Sequence, residues 1–254
     1  MNENRKPLGI KNYGHVPHLP GSRMGPGDHH CHEGQAHIAT EKVRDKNDEV
    51  IVQEKLDGSN VGVARIGNTI YPLGRAGYLA STSPFEQHHH FAKWAYANAD
   101  RFLEVLQEGQ RLVGEWLMLA HGTRYELHHE PFVAFDIMEG TERLPFDNFI
   151  TQVQSLFVVP HLLWRGGPYS IEQALHALGD FGFHGALEKP EGAVWRVERD
   201  VPTGKKGEKF RKVDFLVKYV RPDKEDGKYL PDISGQPAIW HWRPSDEGSY
   251  ATLD

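Results

Sequence analysis

Apolar positions along the chain fall into short runs, most of them closed by a polar or glycine-containing turn. "EVIVQEKL", "NVGVARIG" and "GNTIYPLGR" alternate or run apolar over strand lengths, the pattern of strands joined by tight turns. Residues 86–107 place Phe91, Trp94, Ala95, Phe102, Val105 and Leu106 at roughly three-to-four spacing, which predicts an amphipathic helix. "RLVGEWLML" and "PFVAFDIM" return to strand patterning. Helices are expected near 146–158 and at "SIEQALHALGDFG", where Ser170 and Gln173 have the spacing of a capping box. "GAVWRVER" and "KVDFLVKYVRP" then read as two strands joined by the polar, basic "DVPTGKKGEK". Runs of strands interrupted by a few helices, without regular alternation, predict an α+β fold of mainly antiparallel sheets flanked by helices.

Ahead of this pattern, residues 1–37 are rich in Gly, Pro and His and lack periodicity, so they read as an irregular arm. The expected organisation is that arm, one domain over 38–225, and a tail over 226–254 that packs on the domain or is partly disordered. A chain of 254 residues with 39% hydrophobic content can bury a proper core. No charged-then-apolar leader opens it and no run of about 18 apolar residues interrupts it, so no membrane association and cytoplasmic residence are expected. The lone Cys31 cannot form an intramolecular disulfide.

Charge changes the picture locally. The formal net charge is −6, yet residues 205–224 hold Lys205, Lys206, Lys209, Arg211, Lys212, Lys218, Arg221 and Lys224 against Glu208, Asp214 and Asp223. That stretch is either a solvated hairpin tip or a phosphate-facing edge. The sixteen histidines cluster most densely at "DHHCHEGQAH", where Asp28, His29, His30, Cys31, His32 and His37 offer zinc-type donors. Adjacent side chains in an arm rarely converge on one ion, so a polar solvated loop is the competing reading. "HHH" at 88–90 and "ELHHE" at 126–130 read as surface histidines, and "HLPGSR" at 18–23 has no evident role.

The densest chemistry lies in "IVQEKLDGSN", residues 51–60. An amine attacks phosphorus or carbonyl carbon only when unprotonated, and at a pKa near 10.4 only about one lysine in 2,500 is neutral at pH 7. Lowering the pKa to roughly 7.5 is worth about 3 to 4 kcal/mol of nucleophile. The apolar approach "VIVQEK" leads to the expectation that burial presents an uncharged Lys55. Gly58 would allow a sharp turn or a close approach, with Asn60 directed back to the same pocket. Lysine before an Asp-Gly turn is also an ordinary hairpin feature.

Further elements appear in order. "EKLDGSN", Arg75 in "LGRAG", Glu115 in "LVGEWL", Phe135-Asp136 in "FVAFDI", Glu191 in "PEGAVWR" and Lys218 in "FLVKYVRP" span residues 54–222. This series resembles the covalent nucleotidyltransferase superfamily of polynucleotide ligases and mRNA capping enzymes, and most closely its ATP-dependent RNA ligase branch. The resemblance implies a ligase adenylation fold and an enzyme that uses ATP with Mg²⁺ or Mn²⁺. Lys55 would take AMP as a phosphoramidate, pass it to a 5′-phosphate RNA end, and allow sealing to a 3′-hydroxyl. It also implies that Glu54 reads the adenine amine, Phe135 stacks on adenine and Glu115 holds the ribose. Asn60 and Arg75 would lie near sugar and phosphate, Glu191 would bind the divalent ion, and Lys218 would neutralise the α-phosphate.

The series departs from the family pattern in its last element, where Leu216 stands in place of a second lysine on the strand face of Lys218. Lys212 or Arg221 is a candidate substitute. Only 36 residues follow Lys218, which leads to the expectation of no OB domain. This leaves open a partner protein supplying nucleic-acid-binding surface, and whether the ends are met in a nicked duplex, a stem-loop or single strands. DNA ligase and guanylyltransferase activity are alternatives within the superfamily. A non-catalytic nucleic-acid end-binding module that keeps the fold is the alternative outside the enzyme class.

Overall fold

The computed structural model describes residues 6–205 and 207–242. Lys206 of the basic stretch and residues 243–254 of the tail lie outside the described residues. In chain order, α1 (Glu33–Thr40) precedes β1 (Asp48–Lys55), β2 (Ser59–Ile66) and β3 (Thr69–Gly74). Next come α2 (Glu86–Ala97), α3 (Ala99–Val105), β4 (Gln110–Trp116), β5 (Phe132–Glu139) and the short β6 (Glu142–Arg143). α4 (Phe146–Val153), β7 (Leu162–Gly166) and α5 (Ile171–Leu178) lead to β8 (Gly192–Pro202), β9 (Lys209–Val220) and α6 (Pro231–Ser234).

The strands form two antiparallel sheets, ordered β7-β1-β8-β9 and β3-β2-β4-β5-β6. Strand alternation assigns each sheet a helix-covered face and a cleft face. In the first, Val50, Val52, Ala193, Trp195, Val197 and Val217 pack with Ala36 and Ala39 of α1 and Ala174 and Leu178 of α5. In the second, Val61, Val63, Leu112, Trp116 and Phe132 pack with Phe91 and Trp94 of α2, Phe102 of α3 and Phe149 of α4. The opposite faces line a common cavity between the sheets. Buried Arg196 of β8 pairs with buried Asp136 of β5 across it.

Lys55 ends β1 in one sheet and Ser59 begins β2 in the other, so residues 56–58 cross between sheets. The hairpin alternative for the Asp-Gly turn is thereby excluded. The helix expected over 86–107 divides at Asn98, whose N–H bonds to the Trp94 and Ala95 carbonyls while its Nδ2 donates to Trp94 O at 2.9 Å. Such a side chain competes with the helical ladder. The capping box of α5 forms as its spacing predicts, with Gln173 N donating to Ser170 Oγ and Ser170 N to Gln173 Oε1.

Two parts differ from the periodicity reading. Strand β7 occupies an edge beside β1 with mostly half-exposed residues, too short and too open to show an alternating pattern. Residues 33–37, expected to be irregular, open α1, capped where His32 Nδ1 accepts Gly34 N–H at 3.1 Å. Only Ala36 and Ala39 of that helix are buried, so it carries no large apolar stripe. Among the described residues no helix is long and apolar enough to cross a membrane.

Candidate active site

The cavity between the sheets has a volume of about 520 Å³, and Glu54, Lys55, Asn60, Arg75, Glu115, Phe135, Glu191 and Lys218 all line it. Alternation places Gln53 and Lys55 of β1, Val194 and Arg196 of β8, and Leu216 and Lys218 of β9 on the cleft face. From the facing sheet come Asn60 of β2 and Glu115 of β4, paired in register. The β4–β5 pairing shifts from Val113↔Asp136 to Gly114↔Ala134, leaving Phe135 unpaired in a bulge. Bulges re-aim side chains. Here both Phe135 and Asp136 reach the cavity, and Phe135 meets the Tyr13 ring edge-on at 5.2 Å. Arg75 lies just past β3 and is exposed.

Lys55 Nζ lies 2.6 Å from Glu191 Oε2. Burial by itself pulls the ammonium pKa down, but Glu191, Glu115 and Asp57 together hold it above the ordinary lysine value. The expectation that burial presents an uncharged Lys55 is not met by burial alone: the surrounding carboxylates favour the charged amine. Three carboxylates converge on the amine, and their attraction outweighs its desolvation. Burial lifts Glu191 above the usual carboxylate range with Lys55 pulling against it, and it pushes Glu115 up to about 7.

Gly58 owes its place to a close approach rather than to a left-handed turn. A Cβ there would lie 2.5 Å from the Trp116 carbonyl oxygen of β4, and the Gly58 N–H donates to Glu115 Oε1 at 3.1 Å. Asp57 Oδ2 accepts from Gly122 N and from the Thr123 hydroxyl, fixing the other side of the crossing. Glu54 is 2% exposed and burial pushes its carboxyl up to about 7. Its Oε2 accepts the Phe183 N–H at 3.0 Å, while Oε1 has no hydrogen-bond partner.

Leu216 lines the cavity at the expected second-lysine position, and neither Lys212 nor Arg221 does. Lys212 instead lies 3.9 Å from Asp214. Much of the basic stretch is internally paired: Arg211 bonds to Glu49, Glu198 and Asp200, and Lys209 to Asn47. Those side chains do not form a free phosphate-facing edge. In the histidine-rich arm His32 caps α1 and His37 pairs with Glu41. Among the described residues no group of three or more His, Cys, Asp or Glu side chains is placed to hold a metal ion.

His88 was read as a surface histidine, but it lines the cavity between two serines. Its Nε2 is 2.6 Å from Ser59 Oγ and its Nδ1 is 2.6 Å from Ser83 Oγ, and burial lowers its pKa to about 4. Tyr13 of the arm and Asp226, Leu230 and Ile233 of the tail complete the walls. Their nearest sequence neighbours give no periodic or motif signal, since chain ends reach a site only through tertiary contacts.

The RNA ligase family model matches residues 48–220 of this chain, the span that holds every strand of both sheets and most of the cavity lining. The chain belongs to the RNA ligase family. Solved Naegleria gruberi RNA ligases share the fold. An apo variant is 19% identical over 83% of this chain and 60% of its own, with a TM-score of 0.51. A variant solved with ATP and manganese is 19% identical over 81% of this chain and 59% of its own, with a TM-score of 0.50. A third, with pyrophosphate, is 23% identical over 75% of this chain and 53% of its own, with a TM-score of 0.47. The chain thus spans between half and three-fifths of the length of those ligases. No curated protein matches it. Within this RNA ligase family member, the cavity carries every residue that the motif series singles out.

Proposed function

We propose that this family member is an ATP-dependent RNA ligase that stores AMP on Lys55, transfers it to a 5′-phosphate end and seals that end to a 3′-hydroxyl. The observation that carries this reading is the convergence on one cavity of Lys55, its 2.6 Å carboxylate partner Glu191, and the cations Lys218 and Arg75. Lys55 Nζ gives up a proton, for which Glu191 is the adjacent acceptor, and attacks the α-phosphorus. A P–N bond forms and the bond from phosphorus to the pyrophosphate oxygen breaks. Lys218 and Arg75 offset the charge that develops on the phosphates.

Glu54 supports ATP over GTP. When the carboxyl is ionised, its unpartnered buried Oε1 is an acceptor without a donor, which suits the adenine exocyclic amine and opposes the guanine carbonyl at the same place. Phe135 offers a ring to stack on the base, and Asn60 and Glu115 offer polar contacts to the sugar. For the divalent ion, Glu191 is the candidate protein ligand, with Asp57 in the same cavity and close enough to raise its pKa; a magnesium-type ion keeps waters and phosphate oxygens as most of its ligands. When bound, such an ion supplies charge neutralisation at the phosphates.

The test is incubation with α-labelled ATP or GTP and Mg²⁺ or Mn²⁺, beside Lys55→Ala. Covalent label is expected from ATP in the wild type and none in the variant. No label in metal-replete wild type would sink the ligase reading, and label surviving in Lys55→Ala would sink the lysine assignment. Transfer of the label to 5′-phosphorylated RNA or DNA, offered single-stranded or nicked, then identifies the end that is joined.

A further inference from the structure

The arm segment "HLPGSR" and Asp28 have no part in the reading so far, yet both wrap around the strand that carries Lys218. The Lys218 N–H donates to Pro17 O at 2.9 Å and the Leu19 N–H to Lys218 O at 2.8 Å. Two residues on, the Val220 N–H donates to Ser22 Oγ at 2.8 Å and the Arg23 N–H to Val220 O at 3.0 Å. The arm thus pairs with β9 as a short parallel segment and fixes the backbone from which Lys218 projects.

The side chains extend this into the site. Ser22 Oγ, already accepting from Val220, lies 2.6 Å from His18 Nδ1. Ser22 Oγ also reaches Arg23 O at 3.4 Å, so its contact with Nδ1 fits either ring tautomer; the nearby Asp28 carboxylate favours the one with its proton on Nε2. Nε2 faces Asp28 Oδ2 at 3.1 Å, too oblique for a linear hydrogen bond but favourable for a carboxylate. The Gly25 N–H donates to the same oxygen at 3.0 Å. With Oδ2 held, Oδ1 is turned to Lys218 Nζ at 3.5 Å.

Lys218 needs such a partner. Burial first, then the neighbouring Lys55, pulls its ammonium pKa down, while Asp28 and Glu191 oppose. Glu191 is already engaged by Lys55 at 2.6 Å. His18, 1% exposed and kept neutral chiefly by burial, braces the carboxylate without competing for its charge.

We propose that Asp28, braced by His18 and the Gly25 N–H, is a positioning residue for nucleotide transfer: it holds the Lys218 ammonium aimed into the cavity until the α-phosphate takes over that charge. This rests on the reading that Lys55 accepts AMP. The experiment is single-turnover labelling of the full chain with α-labelled ATP and Mg²⁺ over a range of ATP concentrations. The proteins compared are wild type, Asp28→Asn, Asp28→Glu, His18→Asn and Lys218→Ala, each with its thermal midpoint measured. Asp28→Asn is expected to slow labelling at saturating ATP by roughly 10-fold or more, with half-saturating ATP changed by less than about 3-fold. Asp28→Glu, which restores a carboxylate, should recover most of the rate, and folded His18→Asn should show a smaller loss of the same kind.

A wild-type rate in Asp28→Asn overturns the proposal. So does a loss confined to half-saturating ATP, an Asp28→Glu no better than Asp28→Asn, or, should Asp28→Asn not fold, an unimpaired His18→Asn. Normal labelling in Lys218→Ala also overturns it, because Asp28 would then have nothing to position. Absence of label in wild type instead overturns the parent reading, so the two failures are distinct.

Discussion

Glu54 shows what a buried carboxyl costs at the scale of one residue. Its carboxyl is raised to about 7 by burial, against a value of 4.5 in an open chain. The folded state therefore holds the proton to higher pH than the open chain does, and the group destabilises folding as pH rises from the open-chain value through the folded one. Above pH 7 a shift of that size is worth on the order of 3 kcal/mol. Glu54→Gln keeps an acceptor for the Phe183 N–H and removes the charge. Urea unfolding should find it more stable than wild type by about 2 kcal/mol at pH 8, with no difference near pH 4, while labelling with ATP falls. Equal stability at pH 8 would sink this account. The residue chemistry of Lys55 was only partly legible beforehand. Its identity and apolar approach are in the chain, but Glu191 and Glu115, which set its charge, lie far away in sequence and arrive through β8 and β4.

Elements divide into those specified by neighbours in the chain and those specified by what packs on them. Helix α5 is of the first kind: Ser170 and Gln173 exchange capping bonds, and Ala174 and Leu178 face the core. Ser170→Ala should cost about 1 kcal/mol in urea unfolding and leave labelling at the wild-type rate, since the cap does not reach the cavity. The crossing from β1 to β2 is of the second kind. Gly58→Ala drives a Cβ against the Trp116 carbonyl, a backbone group that cannot swing aside. A loss of roughly 1 to 3 kcal/mol is expected, and labelling should fall with it because the Gly58 contact to Glu115 is displaced. A fully active Gly58→Ala would mean that the crossing tolerates a shift the packing forbids. The β5 bulge also belongs to this class, because it does not interrupt the apolar pattern of the strand, whereas the break at Asn98 is local, made by its bond to the Trp94 carbonyl.

In the whole molecule the two sheets are joined at their cleft faces by buried charge as well as by chain crossings. Asp136 accepts from Arg196 of the opposite sheet, from Arg143 and from the Tyr13 hydroxyl of the arm. Removing one partner of a buried pair leaves the other uncompensated, so Asp136→Ala should lower stability by about 3 to 5 kcal/mol. Urea unfolding measures it, and a loss below 1 kcal/mol would show that the sheets do not depend on this link. Described segments on either side of the sheets close the same cavity, the arm through Tyr13 and the tail through Leu230 and Ile233, with Arg23 and Asp226 in contact at 3.0 Å.

By itself the sequence determined the strand-rich order, the α5 cap and the identity of the residues that meet in the cavity, because period, capping and motif are written in residues close together along the chain. Only the tertiary structure decided that carboxylates from three parts of the chain surround Lys55, that β1 and β2 belong to different sheets, that His88 faces inward and that "HLPGSR" pairs with the strand of Lys218. Burial and charge are sums over neighbours in space, and here those neighbours are tens to hundreds of residues apart.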